Sequence, residues 1–197
     1  MSPPSATWVD GKRQRELPLP DRGLDYGDGL FETLLLENNQ ALFPELHWQR
    51  LQRGLRVLDF PDCMELVRSH CQSAIADLRQ HEWRRAALRV TVTRGQGPRG
   101  YMPPRVPVPR VVISATALPE IRELPAPASL VQAAMRWGTQ PALSGIKHLN
   151  RLEQVLAAGE IPRGGAEEAL MLGQAGQLVS VSSGNLFVVI GDEIHTP

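Results

Sequence analysis

The chain has no surplus of either charge, with 21 Lys+Arg set against 21 Asp+Glu. Nucleic-acid binders and proteins of anionic membrane surfaces carry a basic footprint, so this balance argues against both as partners. Any anionic ligand must then be held by local arginines. Cysteine is scarce, with only Cys63 and Cys71. On one helix they would be separated by about 12 Å of rise, too far for a disulfide. Free thiols suit a reducing cytoplasm. The opening stretch MSPPSATWVDGKRQRELP has no apolar core of the signal-peptide kind. The uncharged run 169–191 is interrupted by Gly, Gln, Ser and Asn. That makes it a poor membrane span and a good pair of strands joined by a turn. There is no internal repeat, and no metal site is expected. The chain reads as soluble and cytoplasmic, without nucleic-acid or membrane partners.

What is present is a sequence of period changes. TWVDG begins as an edge strand entering a turn, and LFETLLLENNQALF reads as a hairpin with a polar tip at 37–40. From Pro44 the spacing of Leu46, Leu51, Leu55 and Leu58 predicts a helix. A second helix follows Pro61, with Asp62 as N-cap and Met64, Val67, Cys71, Ile75 and Leu78 on its apolar face. The period then changes to two in AALRVTVTRG and RVVISATAL, on either side of the Gly- and Pro-dense loop GQGPRGYMPPRVPVP. After the proline-broken stretch 119–128 come the strand LVQAAMRW, a further helix, and the strands EEALML and QLVSVSSGNLFVVIG. These elements predict two α/β lobes: residues 1–118, a linker at 119–128, and 129–197. The second lobe is small for independent stability and stops at GDEIHTP, so it is expected to be incomplete.

Lys147, in GIKHLNRLEQVLA, is the residue with most chemical interest. The pattern places it in the first turn of an amphipathic helix whose apolar side is Leu149, Leu152, Val155 and Leu156. A helix N-terminus and partial burial both disfavour an ammonium and lower a lysine pKa. A neutral lysine is a nucleophile for carbonyls and a proton shuttle, so the placement permits Schiff-base chemistry. The competing reading is a surface lysine that snorkels away from the helix end.

Several segments, in order, resemble one enzyme family. QPALSGIKHLNRLEQVLA resembles the lysine segment of aminodeoxychorismate lyases, which belong with the branched-chain and D-amino-acid aminotransferases. DRGLDYGDGLFET, HWQRLQRG, VTRGQGPRGY and SSGNLF resemble further segments of the same family. The resemblance implies a two-lobed fold-type IV enzyme of the α/β (α+β) class that uses pyridoxal 5'-phosphate. It implies that Lys147 carries the cofactor as a Schiff base and moves the proton, that Arg50 grips the phosphate, and that Asn150 braces the site. Tyr26 falls where the family places an aromatic that often reaches the neighbouring subunit's site, so a homodimer is expected. The substrate of such a lyase carries two carboxylates. Arg94 and Arg99, flanking the glycine loop, are the expected donors, with Arg89 on the strand before them. The reaction implied is conversion of 4-amino-4-deoxychorismate to 4-aminobenzoate and pyruvate, a step of folate biosynthesis.

Two departures from the family pattern open alternatives. Many members place a glutamate against the cofactor's ring nitrogen seven residues before the phenylalanine of NLF; here that position is Ser180. A serine carries no charge, which weakens the ring as an electron sink. That tilts the reading toward elimination of an aromatic product and away from a D-amino-acid or branched-chain-type aminotransferase. The second departure is the end of the chain at GDEIHTP, before the family's glycine-rich phosphate turn. It raises the further reading of a non-catalytic, truncated fragment.

Overall fold

A computed structural model describes residues 4–81, 83–120 and 127–197. The chain divides into two compact units, Met1–Arg122 with Ala142–Leu149, and Glu123–Pro141 with Asn150–Pro197. Of the expected linker at 119–128, residues 121–126 lie outside the described residues.

The first unit is built on an antiparallel sheet. Its strands are β1 (Ser5–Val9), β2 (Lys12–Arg13), β3 (Gly29–Glu37), β4 (Gln40–Ala41), β5 (Arg85–Thr93) and β6 (Arg110–Ala117). They lie in the order β2-β1-β6-β5-β3-β4, so β1 lies inside β2 and is not the edge. The β3–β4 hairpin closes through Asn38 and Asn39, at φ 48° and 61°. Asparagine tolerates that left-handed backbone, and two such residues turn the strands with their natural twist. A short helix α1 (Arg22–Tyr26) precedes β3, and the helices α2 (Pro44–Val57) and α3 (Met64–Leu78) follow β4.

The alternation along the strands assigns the two sheet faces. Leu30, Leu34 and Leu36 of β3, Leu88 and Val90 of β5, and Ile113 of β6 are fully or almost fully buried and share one core. That core includes Trp48, Leu51 and Leu55 of α2 and Val67, Cys71, Ala74 and Leu78 of α3. Leu46, expected on the apolar side of α2, is exposed, and Trp48 is the buried residue instead. Asp62 does support the start of α3, accepting from the Met64 amide at 3.2 Å, although the capping position itself is Cys63. Both cysteines are free and buried. Burial pushes the thiols up, to about 11 for Cys63 and about 12 for Cys71.

The second unit has a three-stranded sheet of β7 (Leu130–Trp137), β8 (Glu168–Gly173) and β9 (Leu178–Val181). β7 and β8 are parallel and β8 and β9 antiparallel. Helix α4 (Leu152–Ala158) packs on β7 and β8, a one-turn helix α5 (Ile161–Gly164) follows it, and β10 (Val188–Ile190) pairs with β11 (Glu193–His195). The core here is small: Ala133, Ala157, Ala169 and Met171.

Two expectations about the lysine segment are corrected. Helix α4 begins at Leu152, so Lys147 is not in a helical first turn, and the dipole argument for a lowered pKa does not apply. Its backbone is extended instead. The Phe31 amide donates to the Lys147 carbonyl at 2.9 Å, the Leu149 amide donates to the Gly29 carbonyl at 3.0 Å, and Leu30 pairs with His148. Strand pairing at the free edge of β3, together with burial of Ile146, outweighs local helix propensity here. The expected apolar side of the helix is also exposed, with Leu152 at 76 %, Val155 at 62 % and Leu156 at 62 %; Ala157 is the buried residue of α4.

Candidate active site

The site of the first unit is built where Asp28–Glu32 meets α2 and the lysine segment. Glu32 interrupts the run of leucines on the core face of β3 and is 0 % exposed. A buried carboxylate is costly unless paired. Here Arg50 grips it through Nε at 2.7 Å and Nη2 at 2.5 Å, and Nδ1 of His47 lies 2.8 Å from Oε2. The hydrogen bond to Glu32 raises the Arg50 pKa above its ordinary value, against a smaller lowering by burial. The clamp fixes the guanidinium plane. Nη1 keeps no partner among the described residues, on a side chain 39 % exposed.

One turn on, Arg53 donates from Nη2 to the Gly145 carbonyl at 2.7 Å. The lysine segment is thus held from two sides, by Arg53 and by β3. Gly29 is part of that docking. A Cβ there would come within 2.5 Å of the Val92 carbonyl oxygen and 2.8 Å of Cδ1 of Leu149. No larger residue fits between β5 and the incoming segment.

Antiparallel pairing places Lys147 opposite Phe31, so both point to the sheet face away from the helices. The Lys147 Nζ lies 5.0 Å from the Phe31 ring centroid. The Arg89 guanidinium stacks on the same ring at 3.8 Å. Burial pushes Arg89 down from its ordinary value, and it forms no ion pair among the described residues. Arg89 is nevertheless an exposed residue of β5, and an exposed guanidinium without an ion pair suits an anion.

Arg94 and Arg99, the two expected carboxylate donors, part company. Arg94 is 5 % exposed. Its Nε donates to Asp28 Oδ2 at 2.8 Å, Nη1 to the Asp59 carbonyl at 3.0 Å, and Nη2 to the Leu58 carbonyl at 2.6 Å. All its nitrogens are committed to Asp28 and to the carbonyls that end α2, so the structure does not support a substrate contact for it. Arg99 is exposed in the glycine loop. The Tyr26 hydroxyl accepts from the Gly100 amide at 2.9 Å, and its ring meets Tyr101 edge-on at 5.5 Å.

The family model for amino-transferase class IV matches residues 29–197. The chain belongs to the class IV aminotransferases. It is 32 % identical over 194 residues to an aminodeoxychorismate lyase of Vibrio harveyi, covering 96 % of this chain and 69 % of that protein. The solved 4-amino-4-deoxychorismate lyase of Pseudomonas aeruginosa is similar at 36 % identity with a TM-score of 0.83, covering 97 % of this chain and 70 % of that one. A putative branched-chain-amino-acid aminotransferase of Methanocaldococcus jannaschii is 28 % identical over 179 residues, covering 90 % of this chain and 61 % of that protein. The two-lobed α/β architecture is that of the fold-type IV enzymes.

Class IV aminotransferases use pyridoxal 5'-phosphate. The first unit fits that group. Lys147 brings a half-buried primary amine, and Arg50 presents an oriented guanidinium with one nitrogen to spare, suited to a phosphate. In the second unit, Asn150 is exposed ahead of α4, outside any helical turn. Ser180 sits on β9 opposite Met171, its hydroxyl within reach of the Val181 carbonyl at 2.9 Å and the Gly184 carbonyl at 3.1 Å. Position 180 thus carries a neutral oxygen. Beside it, Glu168 accepts from the hydroxyls of Ser182 and Ser183 and from the amides of Ala169 and Ser182. Burial raises the Glu168 pKa, and these hydrogen bonds together lower it by more.

Sequence reasoning missed Asp28, Glu32 and Arg53. Glu32 was detectable, because it is the one acid on a strand face otherwise filled by leucines. Arg53 acts on a carbonyl distant in the chain, and Asp28 joins Arg22, six residues before it, to the distant Arg94, so neither leaves a clear local signature.

Proposed function

We propose that this chain carries aminodeoxychorismate lyase chemistry, releasing pyruvate from 4-amino-4-deoxychorismate and forming 4-aminobenzoate for folate synthesis. The observation that carries the reading is the trio on the open face of β3 and β5. The Lys147 amine and the unpaired Arg89 guanidinium share the Phe31 ring, at 5.0 Å and 3.8 Å. Bound pyridoxal phosphate supplies an aldehyde carbon that bonds amines and a ring that withdraws electrons from them. Arg50, braced by Glu32, holds the phosphate. Lys147 holds the cofactor and then takes the proton from the substrate ring carbon that bears the amine. Phe31 keeps water from one side of the lysine amine. Arg89 and the exposed Arg99 meet substrate carboxylates. Ser180 suits this reaction: a weak electron sink suffices where the driving force is formation of an aromatic ring, and an aminotransferase needs a stronger one. The working unit is a homodimer in the cytoplasm, consistent with two buried free thiols. No helix among the described residues is long and apolar enough to cross a membrane.

The decisive experiment is borohydride reduction of the chain with pyridoxal phosphate, followed by peptide mapping, alongside assays for pyruvate and 4-aminobenzoate. The expected result is a pyridoxyl group on Lys147 and pyruvate from 4-amino-4-deoxychorismate, both abolished in Lys147→Ala. Amino transfer to 2-oxo acids without pyruvate release would instead favour the aminotransferase reading. Absence of both the adduct and turnover would favour a non-catalytic chain.

A further inference from the structure

The loop between β5 and β6, residues 94–109, has five prolines at 98, 103, 104, 107 and 109. Proline has no amide hydrogen, so such a loop has more acceptors than donors and cannot satisfy its own carbonyls by pairing. Arginine is the reverse, with five N–H donors and no acceptor. Arg22, in the first turn of α1, is only 3 % exposed and lies inside this loop. Its Nη1 donates to the carbonyls of Gly100 at 2.9 Å, Met102 at 3.3 Å and Pro98 at 3.5 Å, and Nη2 donates to the Tyr101 carbonyl at 2.8 Å. The Nε donates to Asp28 Oδ2 at 2.8 Å, the same oxygen that receives Arg94. One carboxylate thus faces two buried guanidinium groups, and the carbonyl dipoles of the loop supply the remaining negative charge around Arg22.

The neighbours of Arg22 are fitted to this role. Its guanidinium carbon lies 4.8 Å from the Tyr26 ring centroid, and the Tyr26 hydroxyl binds the Gly100 amide at 2.9 Å. A Cβ on Gly97 would come within 2.7 Å of Arg22 Cδ, so the loop crosses the arginine at a residue without one. The carbonyls of Pro98 and Gly100 stand on either side of Arg99, and both are bound. The exposed Arg99 side chain therefore projects from a backbone anchored on each side.

We propose that Arg22 is a positioning residue: it winds the proline-rich loop about its guanidinium and so fixes Arg99 for a substrate carboxylate. The assignment of Arg99 rests on the lyase reading above; the winding of the loop does not. Lysine cannot replace arginine here, because three donors at a point do not match carbonyls spread around a planar fork.

Trypsin tests the winding directly, since it cuts after Arg99 and Arg105 only where the chain is free to enter the protease. Cleavage at these two bonds is expected to be slow in the wild type and at least about tenfold faster in Arg22→Lys and Arg22→Met. Unchanged cleavage in a folded variant overturns the proposal. Should both variants fail to fold, the decision passes to Gly97→Ala, which displaces Arg22 without removing it; faster cutting supports the winding and unchanged cutting overturns it. Steady-state kinetics with 4-amino-4-deoxychorismate separates positioning from general stability. Arg99→Ala and Arg22→Lys are each expected to raise KM about tenfold while kcat stays within about twofold. A raised KM in Arg99→Ala but not in Arg22→Lys overturns the positioning role. An unchanged KM in Arg99→Ala overturns the assignment of Arg99, and trypsin still decides whether Arg22 winds the loop.

Discussion

The Glu32–Arg50 pair shows how one contact can have two unequal ends. Glu32 is 0 % exposed, whereas the Arg50 side chain is 39 % exposed. Removing Arg50 leaves a buried carboxylate with only His47 beside it; neutralising Glu32 leaves an arginine that water can reach. Arg50→Ala is therefore expected to cost about 2–3 kcal/mol of stability, and Glu32→Gln clearly less. Urea denaturation of the two variants without cofactor measures the difference. Equal losses would show that the buried end does not carry the cost. Both variants are expected to hold pyridoxal phosphate more weakly, Arg50→Ala through loss of the donor and Glu32→Gln through loss of its fixed orientation.

Among the elements, the lysine segment is the one whose conformation is imposed from outside. Its sequence favours a helix, and the chain delays that helix to Leu152 because β3 offers an open edge at Gly29–Phe31. Arg53 of α2 secures the turn before it through the Gly145 carbonyl. Arg53→Ala is expected to leave the core of α2 intact, because Leu51 and Leu55 supply its packing. Amide exchange at Phe31 and Leu149, the donors that tie the segment to β3, is expected to become faster. Hydrogen exchange resolved by residue checks this; unchanged protection at both amides would mean that strand pairing alone holds the lysine.

For the molecule as a whole, two units of unequal core share one chain. The first has a large apolar core beneath six strands; the second has four buried residues at its centre and a hydrogen-bonded group at Glu168. Glu168 gathers two hydroxyls and two amides there and is held below its ordinary value of 4.5. A carboxyl with a depressed folded pKa contributes stability that is fully present above the unfolded value and is lost as pH falls through the folded one. Thermal unfolding of the wild type and Glu168→Gln is therefore expected to differ most near neutral pH and to converge as pH drops below the carboxylate range. A gap that widens in acid would contradict the sign of the shift.

Much of this organisation could be read from the residues alone. Strands with period two, helices with leucines at three and four, and the asparagine turn depend on neighbours a few positions apart, which any stretch of chain carries with it. The family segments around Lys147, Arg50 and the glycine loop were legible for the same reason. Folding determined which cations are committed and which remain available. Arg94 is spent on Asp28 and the end of α2, Arg22 on the loop carbonyls, and Arg89 is left on an aromatic ring beside the lysine. These outcomes depend on partners many tens of residues away, and a guanidinium meets its acceptor only after packing has brought the two together.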